Sequence, residues 1–310
     1  MSSKMLSEIN EIPVKAGEFL IHSPTYILPV GVPYLGMGSS YFAPLAFKYM
    51  GINIQPEIAS EFFNYQAKNS KFPNGVILSQ SGRSSEALGC TSLFENYIGI
   101  SKYTQNALCK APNVSWFIDL LAGDEQYSSS KTYINTLLAL FKGFGFDATD
   151  AIALLENKMP EYDEKGEEMA NQVFKLISNK SIHGIYIIGS GPNISTALEA
   201  ALILSESTKR NFHGLPMAQY DHGPKETAEN SIVIQIISKG ASYGRSLKLS
   251  DIISKAGATV ITVEEPEADE NFSILHNMVP FNFMAYYLAQ KLNIKDTFLV
   301  GGKVTESELN

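Results

Sequence analysis

His183–Glu206 reads HGIYIIGSGPNISTALEAALILSE. An apolar run meets a Gly-Ser-Gly turn, and the residues after Pro192 are rich in Ala and Leu, which favour helix. The form is strand, tight turn, helix. It occurs earlier as well, in Tyr34–Gly51, YLGMGSSYFAPLAFKYMG. A second pair of stretches matches in the same way: Asn74–Gly99, NGVILSQSGRSSEALGCTSLFENYIG, and Asn230–Gly257, NSIVIQIISKGASYGRSLKLSDIISKAG. The pattern predicts two copies of one α/β unit, residues 30–150 and 181–290. Strands alternating with helices argue for a parallel sheet with helices on both faces. Around the two units, 1–29 reads as a helical arm. The charged stretch Glu156–Lys180, punctuated by Pro160 and Gly166, places a linker helix over 151–180, and 291–310 forms a tail.

The bulk properties bound the function. At 310 residues, 45% hydrophobic and 18% charged, the chain can bury a sizeable core. Its net charge of −8 and the absence of a basic run exclude nucleic acid as an expected partner. Cys90 and Cys109 are the only cysteines, and their spacing makes neither a disulfide framework nor a zinc site. No HExxH or acidic metal loop occurs, so neither metal nor cofactor is expected. The first residues lack an apolar signal core, and nothing approaches the roughly 18 consecutive apolar residues of a spanning helix. A cytoplasmic protein without membrane contact is the expectation.

In parallel sheets ligands meet the carboxyl ends of strands, where backbone N–H groups and helix starts converge. The turn Ser79–Ser84 is the richest candidate. Ser79, Ser81 and Ser84 offer hydroxyls, Gln80 an amide, Gly82 close backbone approach and Arg83 a positive charge. Two readings stand side by side: an anion cradle, or a solvated turn in which Ser84 or Ser85 caps a helix. For acid–base chemistry, Glu199 and Glu206 fall on one helix face beside Leu202, where a desolvated carboxylate can act as a base. The alternative for Glu206 is an ion pair with the nearby Lys209 or Arg210. His222, next to Asp221 and held before Gly223-Pro224, is either an acid–base group or a solvent-facing turn residue.

The motifs GMGSSY (36–41), EIASEF (57–62), LSQSGRSSEAL (78–88), AGDEQYSSSK (122–131), ALEAALILSE (197–206) and QYDHGP (219–224) occur together, in this order. In this combination the chain resembles the sugar isomerase (SIS) domain family over about residues 30–305. It is most similar to the double-SIS isomerase half of glucosamine-6-phosphate synthase and to stand-alone deaminases. The resemblance implies two SIS domains of flavodoxin-like three-layer α/β/α form and a sugar phosphate as substrate. Ser40 matches the serine of the first turn. Ser79, Gln80, Ser81 and Ser84 match the phosphate loop. Glu125, Ser129 and Lys131 match a loop that closes over the sugar. Glu206 matches the general base, and His222 a ring-opening histidine that serves the neighbouring subunit of a homodimer. Lys303, in VGGKVT, matches a tail lysine that forms an imine in the synthase.

Three departures bear on the reaction. No amide-hydrolysing module is present in this sequence, Arg83 replaces an acid, and Ile203 replaces a catalytic lysine. The expected activity is therefore glucosamine-6-phosphate deamination to fructose-6-phosphate and ammonia. The alternatives are a fructosamine-6-phosphate deglycase, or a non-catalytic sensor of sugar phosphate.

Overall fold

A computed structural model describes residues 3–67, 70–103, 105–300 and 302–303. The chain divides into two compact units, Glu11–Ile152 with the segment from Phe298, and Met1–Asn10 with Ala153–Thr297.

The first unit holds a five-stranded parallel sheet: β1 (Pro33–Gly36), β2 (Gln55–Ile58), β3 (Phe72–Leu78), β4 (Phe94–Ser101) and β5 (Val114–Asp119), in the order β2-β1-β3-β4-β5. One face packs Leu35, Ile77 and Tyr97 against Phe62, Ala87, Cys90 and Leu108. Elsewhere in the unit, Phe47 and Phe141 meet edge to face, their ring centroids 4.8 Å apart. The helix Ile12–His22 packs on Lys131–Gly143, and Asn135 Nδ2 donates to the Lys15 and Leu120 carbonyls.

The second unit holds β6 (Ile185–Gly189), β7 (His213–Pro216), β8 (Ile232–Ile236) and β9 (Thr259–Val263), also parallel, in the order β7-β6-β8-β9. That order repeats the first four strands of the other sheet. The repeat extends to detail. β1 and β6 both end in glycine, and a Cβ on Gly36 or Gly189 would strike the carbonyl of Ser40 or Asn193 in the following helix. Only glycine lets helix and strand approach so closely there. The core of this unit joins Ile188, Val233 and Leu249 to Met217, Tyr220 and Ile253.

Two strands have no counterpart in the sequence reading, β4 and β7. In place of the linker helix expected over 151–180, one continuous helix spans Thr149–Asn179 and runs through both Pro160 and Gly166. Gly166 is a packing residue rather than a break. A Cβ there would collide with the Phe283 side chain and stand 2.8 Å from the Pro280 carbonyl and 2.9 Å from the Met284 nitrogen. The arm divides as well: Ser3–Asn10 packs on the helix Val279–Lys291 in the second unit, and Ile12–His22 belongs to the first. No helix among the described residues is long and apolar enough to cross a membrane.

A buried polar chain sits beside β9. Tyr162 Oη donates to Glu265 Oε2 at 2.8 Å and lies 2.9 Å from His276 Nδ1. A carboxylate only accepts, so the tyrosine proton goes to Glu265 and His276 carries its proton on Nδ1. Burial holds the His276 pKa down to about 4.

Two outcomes follow from this packing. Gly166→Ala should cost about 1–3 kcal/mol in urea unfolding, because the obstructing atoms are backbone and cannot swing aside. His276 is neutral when folded and takes a proton more readily when unfolded. Its stabilisation is complete above about pH 6.5 and is lost as pH falls toward 4. Denaturation midpoints should fall over that window in the native sequence, and less steeply in His276→Gln.

Candidate functional site

The turn after β3 gathers its hydroxyls into one small cluster. Ser79 N extends the ladder to the Ile100 carbonyl at 3.0 Å, and Gly82, at φ 62°, then folds the chain back. Gly82 N donates to Ser79 Oγ at 3.1 Å, Arg83 N donates to Ser81 Oγ at 3.2 Å, and the Ser79 and Ser84 hydroxyls lie 3.4 Å apart. Ser84 is the N-cap residue of the short helix Ser85–Cys90, yet its side chain makes no capping bond. The hydroxyl faces Ser79 instead. In this cluster Ser79 and Ser81 are buried while Arg83 is exposed.

Residues that the sequence reading did not single out hold the turn. The Gln80 carbonyl accepts from Lys102 N at 3.1 Å and from Ser101 Oγ at 3.2 Å, both at the end of β4. Asn106 packs its carboxamide against Gly82 and donates to Ser101 Oγ at 2.8 Å and to the Tyr103 carbonyl at 2.6 Å. Its Oδ1 accepts from Cys109 N at 3.0 Å and so caps the helix Ala107–Lys110. The Lys102 ammonium pairs with Asp124 at 3.3 Å and holds that carboxyl below the usual range. Ser101, Lys102 and Asn106 come from the neighbouring strand end, so no local motif announces them.

The next loop is built around Glu125, whose carboxylate is fully buried. It accepts from Ser130 N at 3.0 Å, Ser130 Oγ at 2.9 Å, Thr132 N at 3.2 Å and Thr132 Oγ1. Two of these are the free N–H groups at the start of the helix Lys131–Gly143. Lys303 Nζ completes the set, 3.1 Å from Glu125 Oε2, and also donates to the Glu125 carbonyl at 3.0 Å and the Tyr127 carbonyl at 2.6 Å. Burial raises the Glu125 pKa, but Lys303 and the Thr132 hydrogen bonds outweigh it and the net shift is downward. Lys131 is buried and pairs with Glu11. Ser129 Oγ lies 3.2 Å from Thr132 Oγ1. Ser40 stands half-buried in the first turn of the helix Ser39–Tyr49.

In the second unit, Glu206 is half-buried near the end of the helix Asn193–Thr208, and Glu199 is fully buried. Lys209, the ion-pair partner weighed for Glu206, gives its ammonium to the Glu206 carbonyl at 2.5 Å and to that of Thr297. His222 ends the helix Met217–Asp221 and is exposed. Asp221, its neighbour in sequence, turns to Arg245 at 2.9 Å and Lys225 at 3.0 Å. The two cysteines are not activated nucleophiles: burial pushes the Cys90 thiol up to about 12 and the Cys109 thiol up to about 11.

No family model matches the chain. Among curated proteins it is 26% identical over 287 residues to a glutamine–fructose-6-phosphate aminotransferase (isomerizing) of Methanothermobacter thermautotrophicus, a match to 83% of this chain and 48% of that protein. The chain thus spans about half the length of such relatives. Among solved structures it matches the C-terminal domain of glucosamine-fructose-6-phosphate aminotransferase from Francisella tularensis, with a TM-score of 0.79, 18% identity and coverage of 94% and 97% of the two chains. It also matches a glucosamine-6-phosphate deaminase from Thermotoga maritima, with a TM-score of 0.77, 19% identity and coverage of 95% and 96%. The fold is the α/β fold of these proteins, parallel sheets flanked by helices.

Glu125→Gln keeps the shape but removes the charge that Lys303 and two helix N–H groups share. It should lower stability by about 1–3 kcal/mol, and limited proteolysis should cut the C-terminal segment sooner. An unchanged melt and an unchanged digestion rate would show that the pair holds nothing.

Proposed function

We propose that the protein is a phosphosugar aldose–ketose isomerase acting on an amino sugar phosphate, with glucosamine-6-phosphate converted to fructose-6-phosphate and ammonia. The observation that carries this reading is the Ser79–Ser84 turn. Two of its hydroxyls, on Ser79 and Ser84, meet at a strand's carboxyl end, and the Ser84 hydroxyl makes no bond to the helix it could cap. Phosphate is the anion that such a set of neutral donors suits. The relatives named above, all enzymes of glucosamine or fructose 6-phosphates, support the same substrate class.

The chemistry assigns a role to each residue type. Phosphate held by Ser79, Gln80, Ser81 and Ser84, with Ser40 beside the first turn, fixes the far end of the sugar and aligns C1 and C2. Glu206 takes the proton from C2 and returns it to C1, and the resulting imine is hydrolysed by water to the ketose and ammonia. Nearby donors stabilise the charge that develops on oxygen in between. His222 opens the ring in this reading, acting in the neighbouring subunit of a homodimer, and its exposure on its own unit is consistent with such a role. Ammonia release is favoured over synthase chemistry by two positions. Ile203, where the synthase carries an amine, is buried and apolar. Lys303, the imine-forming match, has its ammonium engaged by three acceptors around Glu125.

Arg83 favours a second reading. An exposed guanidinium beside the turn suits a substrate with a second anionic group, such as an amino acid linked through its amine to a sugar phosphate, cleaved by a deglycase.

Ammonia and fructose-6-phosphate should appear when the protein meets glucosamine-6-phosphate. Glu206→Gln should lower kcat by about 10²-fold or more, and Ser84→Ala should raise KM by about tenfold. Mixing Glu206→Gln with His222→Ala should restore activity, because one site of each hybrid dimer is then intact. Turnover of amine-linked sugar phosphates alone would select the deglycase. A thermal shift with sugar phosphate but no product from either class would leave a sensor.

A further inference from the structure

The shared strand order pairs β8 with β3 and β9 with β4. After β3 comes the Ser79–Ser84 turn, and after β8 comes the turn through Ser238, Lys239 and Gly240. Each contains a glycine pressed against a side chain that arrives from beyond the next strand. In the first unit the Asn106 carboxamide, beyond β4, fills the space where a Cβ on Gly82 would stand. In the second the Glu270 carboxylate, beyond β9, fills the same space at Gly240. Glu270 also reaches the turn after β6, where its Oε1 lies 3.5 Å from the Cβ position of Gly191.

The two side chains put similar planar groups in equivalent places, one neutral and one anionic. Asn106 is fixed there by its own bonds. The amide donates to Ser101 Oγ and the Tyr103 carbonyl, both protein atoms, and its Oδ1 accepts from Cys109 N. It therefore bears on the turn through bulk and charge rather than by donating to a ligand. We infer that Asn106 determines the ligand class of the Ser79–Ser84 turn. Its neutral amide leaves the turn open to a phosphate dianion, and a carboxylate in its place, as Glu270 is in the second unit, closes the turn to anions by like-charge repulsion. This inference rests on the phosphate reading of that turn.

Asn106→Asp and Asn106→Ser separate charge from structure. Asp and Ser both cap helices well, and both lose the amide donors to Ser101 and Tyr103. Inorganic phosphate is titrated calorimetrically at pH 8 into the native protein, these two variants and Ser84→Ala. Asn106→Asp should weaken phosphate by about tenfold or more, whereas Asn106→Ser should stay within about threefold of the native protein. With sugar phosphate the Asp variant should raise KM and leave kcat little changed. Equal weakening by Asp and Ser would show a structural role and overturn the inference, as would native affinity in Asn106→Asp. Equal phosphate binding by the native protein and Ser84→Ala would instead remove the phosphate reading of the turn, and this inference with it.

Discussion

Parallel pairing is the constraint on which the molecule is built. Every strand in each sheet runs the same way, so all carboxyl ends in a sheet share one edge. Strands covered on both faces must be apolar along their length, as in β1 and β8, where every residue is buried. Even Gln235, the one polar residue inside β8, is satisfied internally, donating to the Ser246 carbonyl and accepting from Ser250. Polar chemistry is thereby expelled to the strand ends. The turns after β3 and β8 carry serines for that reason, and the glycines that end β1 and β6 let their helices start close to the sheet.

Local patterns were legible because they need no partner. The apolar runs of β1, β3, β6 and β8, each followed by a small-residue turn, and that of β9 stand out in the sequence, and so does the hydroxyl cluster at Ser79–Ser84. β4 was hidden because Phe94–Ser101 follows a helix directly and its first half, Phe-Glu-Asn-Tyr, sets two polar residues between aromatics three apart, a spacing that also suits a helix face. β7 was hidden by brevity and by a mixed pattern of four residues. Gly166 was misread because a glycine that breaks a helix and a glycine that lets a second helix pack closely look the same in one dimension. Asn106, Lys102 and Asp124 were out of reach for a different reason. Lys102 and Asn106 join the Ser79–Ser84 turn only because β4 lies beside β3, and Asp124 reaches it only through Lys102, an adjacency that is a property of the sheet rather than of any short motif.

Glu125 shows how a residue found by resemblance acquires a physical role of its own. A buried carboxylate is costly unless its lone pairs are filled. Here two backbone N–H groups, two hydroxyls and an ammonium fill them. The backbone groups belong to a helix start, where the dipole favours negative charge. The segment Ser128–Lys131 is therefore organised from inside, with Ser130 turned to Glu125 and Lys131 to Glu11.

The consequence reaches the tail. Lys303 is the only full positive charge bonded to the Glu125 carboxylate among the described residues. Its other two bonds go to carbonyls of the same loop, so one side chain joins the C-terminal segment to the carboxylate, to the Glu125 backbone and to Tyr127. Neutralising either partner removes more than a pair. Without the ammonium, the carboxylate keeps its helix N–H groups and loses its counter-charge. Without the carboxylate, the helix start loses its acceptor and the partly buried lysine keeps only two neutral carbonyls in place of a counter-charge. The order of the loop and the position of the tail are thus one electrostatic problem with a shared solution. A lysine in that position is explained by the charge it balances, before any covalent role is asked of it.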